Sequence, residues 1–248
     1  MAAENIREGA IEDGEAPDIA TASDDYATRF AGGTGAWFLA VQARAVLGFL
    51  PADRAILILD VGGGHNQLAE PLCRAGYRVT VHGSAPECRR RVEANPVTRG
   101  CPFLVSPAAA LPVADGAFHT VVSVRMLAHY REWRALVAEL CRVAQHTVIV
   151  DFSNSGGINA IAPALFGAKQ KLEKNTRHWQ AFRVEEIREA FARHGFREEG
   201  CCPQFLLPMV FYRALKIPAL AAAIEACFRA GGLTRAFGSP VVMKLVRG

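Results

Sequence analysis

The chain has 248 residues, 51% of them hydrophobic and 21% charged, with a formal net charge of +4. That is enough apolar material for one sizeable core, and so mild a charge, with no Lys/Arg stripe interleaved with aromatics, argues against a nucleic-acid substrate. No stretch reaches ~18 uninterrupted apolar residues and the acidic start has no apolar signal core, so neither a spanning helix nor secretion is expected.

Residues 1–25 carry Glu4, Glu12, Asp13, Glu15, Asp18, Asp24 and Asp25 against Arg7 and few apolar side chains, the composition of a disordered leader. Residues 26–248 read as one domain. Thr34 is placed to cap a helix bearing Trp37, Phe38, Val41, Ala45 and Phe49, ended by Pro51. Ala55–Val61 is a continuous apolar run, as expected of a strand buried on both faces. It runs into Asp60 and the glycines Gly62, Gly63 and Gly64, where a backbone without side chains can approach a ligand closely. Gln67–Ala75 reads as a helix, Arg78–His82 as a strand, Pro86–Ala94 as a helix, and Phe103–Ser106 and Phe118–Val124 as strands. Trp133–Val143 is amphipathic through Leu136, Val137, Leu140 and Val143, and Thr147–Phe152 is a fifth strand. This alternation predicts parallel βαβ units with right-handed crossovers.

Beyond Phe152 the rhythm loosens. Ile161–Leu172 and Val184–His194 read as helices, with strands within Phe196–Leu207 and over Pro240–Val246. Met209–Ala230 is apolar and holds Pro218, which predicts two short helices. Residues 203–248 carry Arg213, Lys216, Arg229, Arg235, Lys244 and Arg247 against Glu225. Cys73, Cys88, Cys141 and Cys227 fall in helix-like patterns, which suits reduced thiols and a cytoplasmic location. Cys201-Cys202 has no Cys-x-x-Cys partner, so no metal site is expected.

Five pieces in order resemble the class I S-adenosylmethionine (SAM)-dependent methyltransferases, in the small-molecule, type 11-like group. These are Asp60-Val61-Gly62-Gly63-Gly64-His65-Asn66, Gly76-Tyr77-Arg78-Val79-Thr80, Leu111-Pro112-Val113-Ala114-Asp115-Gly116-Ala117-Phe118, Leu127-Ala128-His129, and Glu139-Leu140-Cys141-Arg142-Val143. A nicotinamide fingerprint would need glycine at Gln67. The resemblance implies a Rossmann-like α/β fold with a seven-stranded sheet, its last strand antiparallel. Residues 52–152 would be the core, with substrate-covering elements near 155–182 and 205–235. It also implies SAM as cofactor, S-adenosylhomocysteine (SAH) as product, and a site at the carboxyl ends of strands one, two and four. Three positions depart from the family pattern. Asn66 stands for the third motif glycine, Gly83 for the acid that would hold the ribose hydroxyls, and Pro107 for an aspartate near the adenine.

On this alignment the candidate cofactor-binding residues are Asp60, Gly62, Gly63, Gly64, Asn66, Gly83, Ser84, Ala108 and Tyr26, with His65 nearby. An acid at the end of a buried strand is costly unless paired, which singles out Asp60. His129, after strand four, is the candidate base, and Arg125 a candidate for binding an anion. Tyr130, Lys171 and Arg177 are candidate substrate contacts, each with an ordinary packing or solvated role as the alternative. Arg29 falls in a segment resembling the family's N-terminal cover over SAM. The expected activity is methyl transfer to a small, largely apolar metabolite, with the oxygen of an aromatic, quinone or polyketide-like acceptor favoured over nitrogen or carbon. Two other readings stay open: a binding protein of the same fold that no longer turns over, and a lipid methyltransferase touching the membrane through 205–224. A homodimer is compatible with the same apolar segment.

Overall fold

The structure is a computed structural model that describes residues 16–157 and 178–248. Its strands are β1 (Leu57–Asp60), β2 (Arg78–Gly83), β3 (Phe103–Val105), β4 (Phe118–Ser123), β5 (Ala144–Phe152), β6 (Phe196–Pro203) and β7 (Val241–Arg247). They form one sheet in the order β3-β2-β1-β4-β5-β7-β6. The pairs from β3 through β5 are parallel. β7 is antiparallel to both its neighbours. This is the sheet the motif order implies, and its carboxyl edge gathers the ends of β1, β2, β4 and β5.

The central strands are apolar throughout because both faces are covered. Leu59, Val121 and Val148 pack beneath α6 (Trp133–Val143), whose Leu136, Val137, Leu140 and Val143 are fully buried. Ile58, Val122 and Ile149 face the other way, towards Val46 of α3 (Gly32–Phe49) and Leu72 of α4 (Ala69–Arg74). α3 starts two residues before the expected cap. Ala31 is its N-cap and Thr34 lies inside. Gly35 is pressed so closely onto Phe30 that a Cβ there would meet the Phe30 carbonyl at 2.2 Å, which fixes how the chain enters the helix.

The acidic leader is structured from Pro17 onward, against the expectation of disorder to residue 25. It forms α1 (Pro17–Thr21) and α2 (Asp24–Thr28). Ser23 caps α2 by accepting from the Tyr26 N–H at 3.2 Å. Asp24 pairs with Arg90 and Arg91 of α5 (Arg90–Ala94) at 2.7 and 2.5 Å. Exposed pairs of this kind contribute little. The stronger tie is Asp18, whose side chain is turned into the domain and is fully buried.

After β5 come α7 (Val184–Ala192), α8 (Met209–Ala214), α9 (Pro218–Ala230) and α10 (Leu233–Phe237). Pro218 opens α9, so the 209–230 segment divides where its proline predicts. The expected helix at 161–172 lies outside the described residues. Part of the apolar 205–224 segment is turned inward: Phe205, Tyr212 and Ala221 pack with Phe38 of α3. Phe211, Ile217 and Leu220 remain exposed. The packing is locked by Glu225, which is 3% exposed and accepts from Tyr212 Oη (2.5 Å), Thr234 Oγ1 (2.6 Å) and the Leu206 N–H (3.1 Å). Replacing Glu225 by alanine strands three buried donors. We expect Glu225→Ala to lower unfolding stability by about 3 kcal/mol in urea denaturation, with Glu225→Gln losing less.

Candidate active site

At the carboxyl end of β1 the chain turns sharply. Gly62 has φ +75°, and Asn66, closing the following 3-10 turn, has φ +57°. Asparagine tolerates that conformation, which accounts for its place in the motif, and its Nδ2 bonds the Arg91 carbonyl at 3.3 Å. The turn is pinned from β2. The Gly62 N–H donates to His82 Nδ1 at 3.3 Å, and His82 Nε2 lies 2.8 Å from the Ser106 carbonyl. Nδ1 therefore accepts and Nε2 carries the proton, and burial lowers the His82 pKa so that the neutral ring persists. His82 was not singled out from the sequence; its only signal was a polar residue inside an apolar strand.

Asp60 is fully buried, and among the described residues neither carboxylate oxygen has a hydrogen-bond partner. Desolvation pushes its pKa up to about 7, against the nearby Arg125 charge. The carboxylate lies against Gly63, where a Cβ would sit 2.4 Å from Oδ2. His65 is also buried, not exposed as its loop position suggests. Desolvation, then the Arg125 and Arg91 charges, lower its pKa to about 3, and its Nδ1 accepts from the Gln67 N–H.

At the end of β2, Gly83 and Ser84 are buried, as is Ala108 across from them. A side chain at 83 has no room: its Cβ would meet Cys88 Cβ at 2.5 Å and the Phe103 ring at 2.9 Å. A carboxylate from elsewhere in the chain reaches this point. Asp18 Oδ2 accepts from the Ser84 N–H at 2.5 Å and from Cys88 Sγ at 3.6 Å, while its Oδ1 is buried without a partner among the described residues.

A cavity of ≈ 260 Å³ opens beyond the ends of β4 and β5. Tyr26, Phe30, Phe38, Phe152, Trp179 and Met209 give it apolar walls, and Arg29, Arg125, His129, Asp151 and Arg213 also line it. Arg125 sits at φ +62°, a strained setting for a non-glycine residue. Its N–H donates to Asp151 Oδ1 (2.5 Å), its Nη2 to Gln42 Oε1 (2.6 Å), and Gln42 Nε2 closes the ring onto Asp151 Oδ2 (2.8 Å). Asp151 and Gln42 went unnoticed in the sequence because they come from distant elements. Burial raises the Asp151 pKa, opposed by the Arg125 backbone and charge and by Gln42. His129 Nδ1 donates to the His178 carbonyl at 2.8 Å, which fixes Nε2 as the basic nitrogen. The expected substrate contact Tyr130 is not on the cavity wall. It is 1% exposed and packs in the main core, because the 3-10 turn at Leu127–His129 rotates it under the sheet edge. Lys171 and Arg177 lie outside the described residues.

Residues 59–150, from β1 to β5, match the family model of a methyltransferase domain. No curated protein sequence matches the chain. Solved structures share the fold. Magnesium protoporphyrin IX methyltransferase of Synechocystis with bound SAH is 17% identical, with 90% of this chain and 93% of that one covered at TM-score 0.61. The methyltransferase complexed with the Trm112 activator of Haloferax volcanii is 18% identical over 94% and 97%, at 0.64. Geranyl diphosphate methyltransferase with its diphosphate and sinefungin is 14% identical over 84% and 77%, at 0.58. The sheet order and the matched segment are those of a Rossmann-like methyltransferase domain. Residues 59–150 thus match a methyltransferase domain, a kind of domain that uses SAM, and the rest of the chain shares only the fold of these structures.

The residues present fit that cofactor. The unpartnered Asp60 carboxylate suits an ammonium group, and the unpartnered Asp18 oxygen suits a hydroxyl donor. The Asp60 shift sets a linkage. Its folded pKa lies above the 3.8 of an ordinary carboxyl, so between about pH 4 and pH 7 the native state holds a proton that the unfolded chain releases, and stability falls as pH rises through that window. Asp60→Asn removes the buried charge. It should raise the melting temperature of the ligand-free protein at pH 8, the gain fading towards pH 4, as followed by thermal denaturation at both ends. Gly83→Ala should lose about 1–3 kcal/mol in urea denaturation, through overpacking against Cys88 and Phe103.

Proposed function

We propose that this enzyme methylates a hydroxyl or phenol oxygen of a small, largely apolar metabolite that also carries an anionic group. The observation that carries the reading is the cavity beside the end of β4, with aromatic walls, one histidine and an arginine rim. When bound, SAM supplies an electrophilic methyl group on a sulfonium. The chain's own residues do the rest. Asp60 binds the amino group, and the backbone of Gly62–Gly64 leaves room for close approach. His129, its Nδ1 anchored on the His178 carbonyl, takes the acceptor's hydroxyl proton at Nε2 as the oxygen becomes nucleophilic.

Arg125 has a positioning role. Its bonds to Gln42 and Asp151, and its cation 4.4 Å over the Phe30 ring, hold it in place. Anion binding, the other role its sequence position offers, is assigned here to its neighbours. The rim arginines suit that task better. Arg213 donates to the Arg29 carbonyl (3.0 Å), and Arg29 stacks on Tyr26. Burial and the Arg29 charge lower the Arg213 pKa. Two cations brought together beside apolar walls favour an acceptor that brings a carboxylate or phosphate. The porphyrin and geranyl diphosphate named for two of the neighbouring structures combine an apolar body with anionic groups, which is consistent with this reading.

SAH release measured against a panel of hydroxylated aromatics tests it. Acidic acceptors should show a lower KM than neutral isosteres, and Arg213→Gln should erase that difference. His129→Ala should cut kcat by about 100-fold with SAH binding unchanged. Wild-type turnover by His129→Ala across pH 6–9 would overturn the base assignment.

A further inference from the structure

A nucleoside ligand seated at the carboxyl edge of a doubly wound sheet presents two vicinal hydroxyls near the end of β2, and such folds meet them with a carboxylate about 20 residues past the glycine turn. Here that position is Gly83, which has no space for any side chain. A carboxylate that reaches the adjacent Ser84 N–H belongs to Asp18, 65 residues before Gly83 in the chain and outside the matched domain. Its burial is complete, one oxygen is held by the Ser84 N–H, and the other has no partner among the described residues. A buried carboxylate oxygen left without a donor is unfavourable, so it persists where something else is gained.

We propose that α1 is part of the cofactor site and that Asp18 accepts the ribose hydroxyls of the nucleoside, replacing the acid that β2 cannot carry. The inference rests on the SAM reading above. Ser84 fixes Oδ2 through its backbone N–H, and Oδ1 is left to accept from a hydroxyl. Asp18 is held to α1 by its own carbonyl, which accepts from Thr21 Oγ1 at 3.1 Å and from the Ala22 N–H at 2.8 Å. The carboxylate is therefore carried on a closed turn and not on a free tail. Cys88 fills the volume under Gly83, so the two departures are coupled: the space a β2 acid would need is occupied, and the charge comes from the far side of the cleft.

Calorimetry on the full chain tests the assignment. Wild-type protein, Asp18→Asn and Asp18→Glu are titrated with SAH, with adenosine and with 2′,3′-dideoxyadenosine. Asp18→Asn should weaken SAH and adenosine by about tenfold or more, leave dideoxyadenosine unchanged, and be partly restored by Asp18→Glu. Equal losses for adenosine and its dideoxy analogue would make Asp18 a structural residue only and overturn the proposal. Tighter SAH binding by Asp18→Asn would overturn it too, and would mark α1 as a plug over the cleft. Failure of the wild type to bind SAH at millimolar concentration would sink the cofactor reading itself. Wild-type binding with unaffected variants sinks only the role of Asp18.

Discussion

A carboxylate without a hydrogen-bond partner, fully removed from water at the end of a central strand, is the constraint around which this structure is arranged. Burial without a partner is unfavourable for Asp60, and desolvation pushes its pKa up to about 7. Every neighbour is shaped by it. Gly63 must lack a side chain because the carboxylate occupies that space. Gly62 takes a left-handed turn that His82 pins from the next strand. Arg125, strained at the end of β4, places its charge where it acts on Asp60, His65 and Asp151 together. Such an arrangement gives up stability for a ligand that completes it.

Arg125 also joins two halves of the site. On one side lie the glycine turn and Asp60. On the other, the ring of Arg125, Gln42 and Asp151 forms one wall of the acceptor cavity, with His129 close by. Movement of one side chain would be felt on both sides. The cover over this edge comes from both ends of the chain: α1 and α2 before the core, and α8 and α9 after it, the latter tied down by the buried Glu225.

The sheet was legible in the sequence because its strands are apolar runs punctuated by glycine and short polar turns. Those patterns are local, so β1, β2, β4 and α6 fall where they were expected, within a residue or two. The glycine turn and Asp60 were legible for the same reason. Contacts that join distant segments were not. Asp18 looked like one more charge in an acidic leader, because nothing local separates a solvated acid from one that reaches the Ser84 N–H. Gln42 and Asp151 meet only when α3 crosses β5. Tyr130 misled in the opposite sense: its position after β4 suggested the site, yet a 3-10 turn sends the ring into the core. Thr34 resembled a helix cap, but the contact between Gly35 and Phe30 sets the start of α3 earlier.

The central claim is that Asp60 is kept unpaired for a cationic group of the cofactor. Calorimetric titration of the wild-type protein with SAH at pH 8 and pH 6, in buffers of different ionisation enthalpy, addresses it directly. A carboxyl with a pKa near 7 that must ionise to bind gives affinity about tenfold weaker at pH 6 and a proton released on binding. Equal affinity at the two pH values with no proton release would contradict the account.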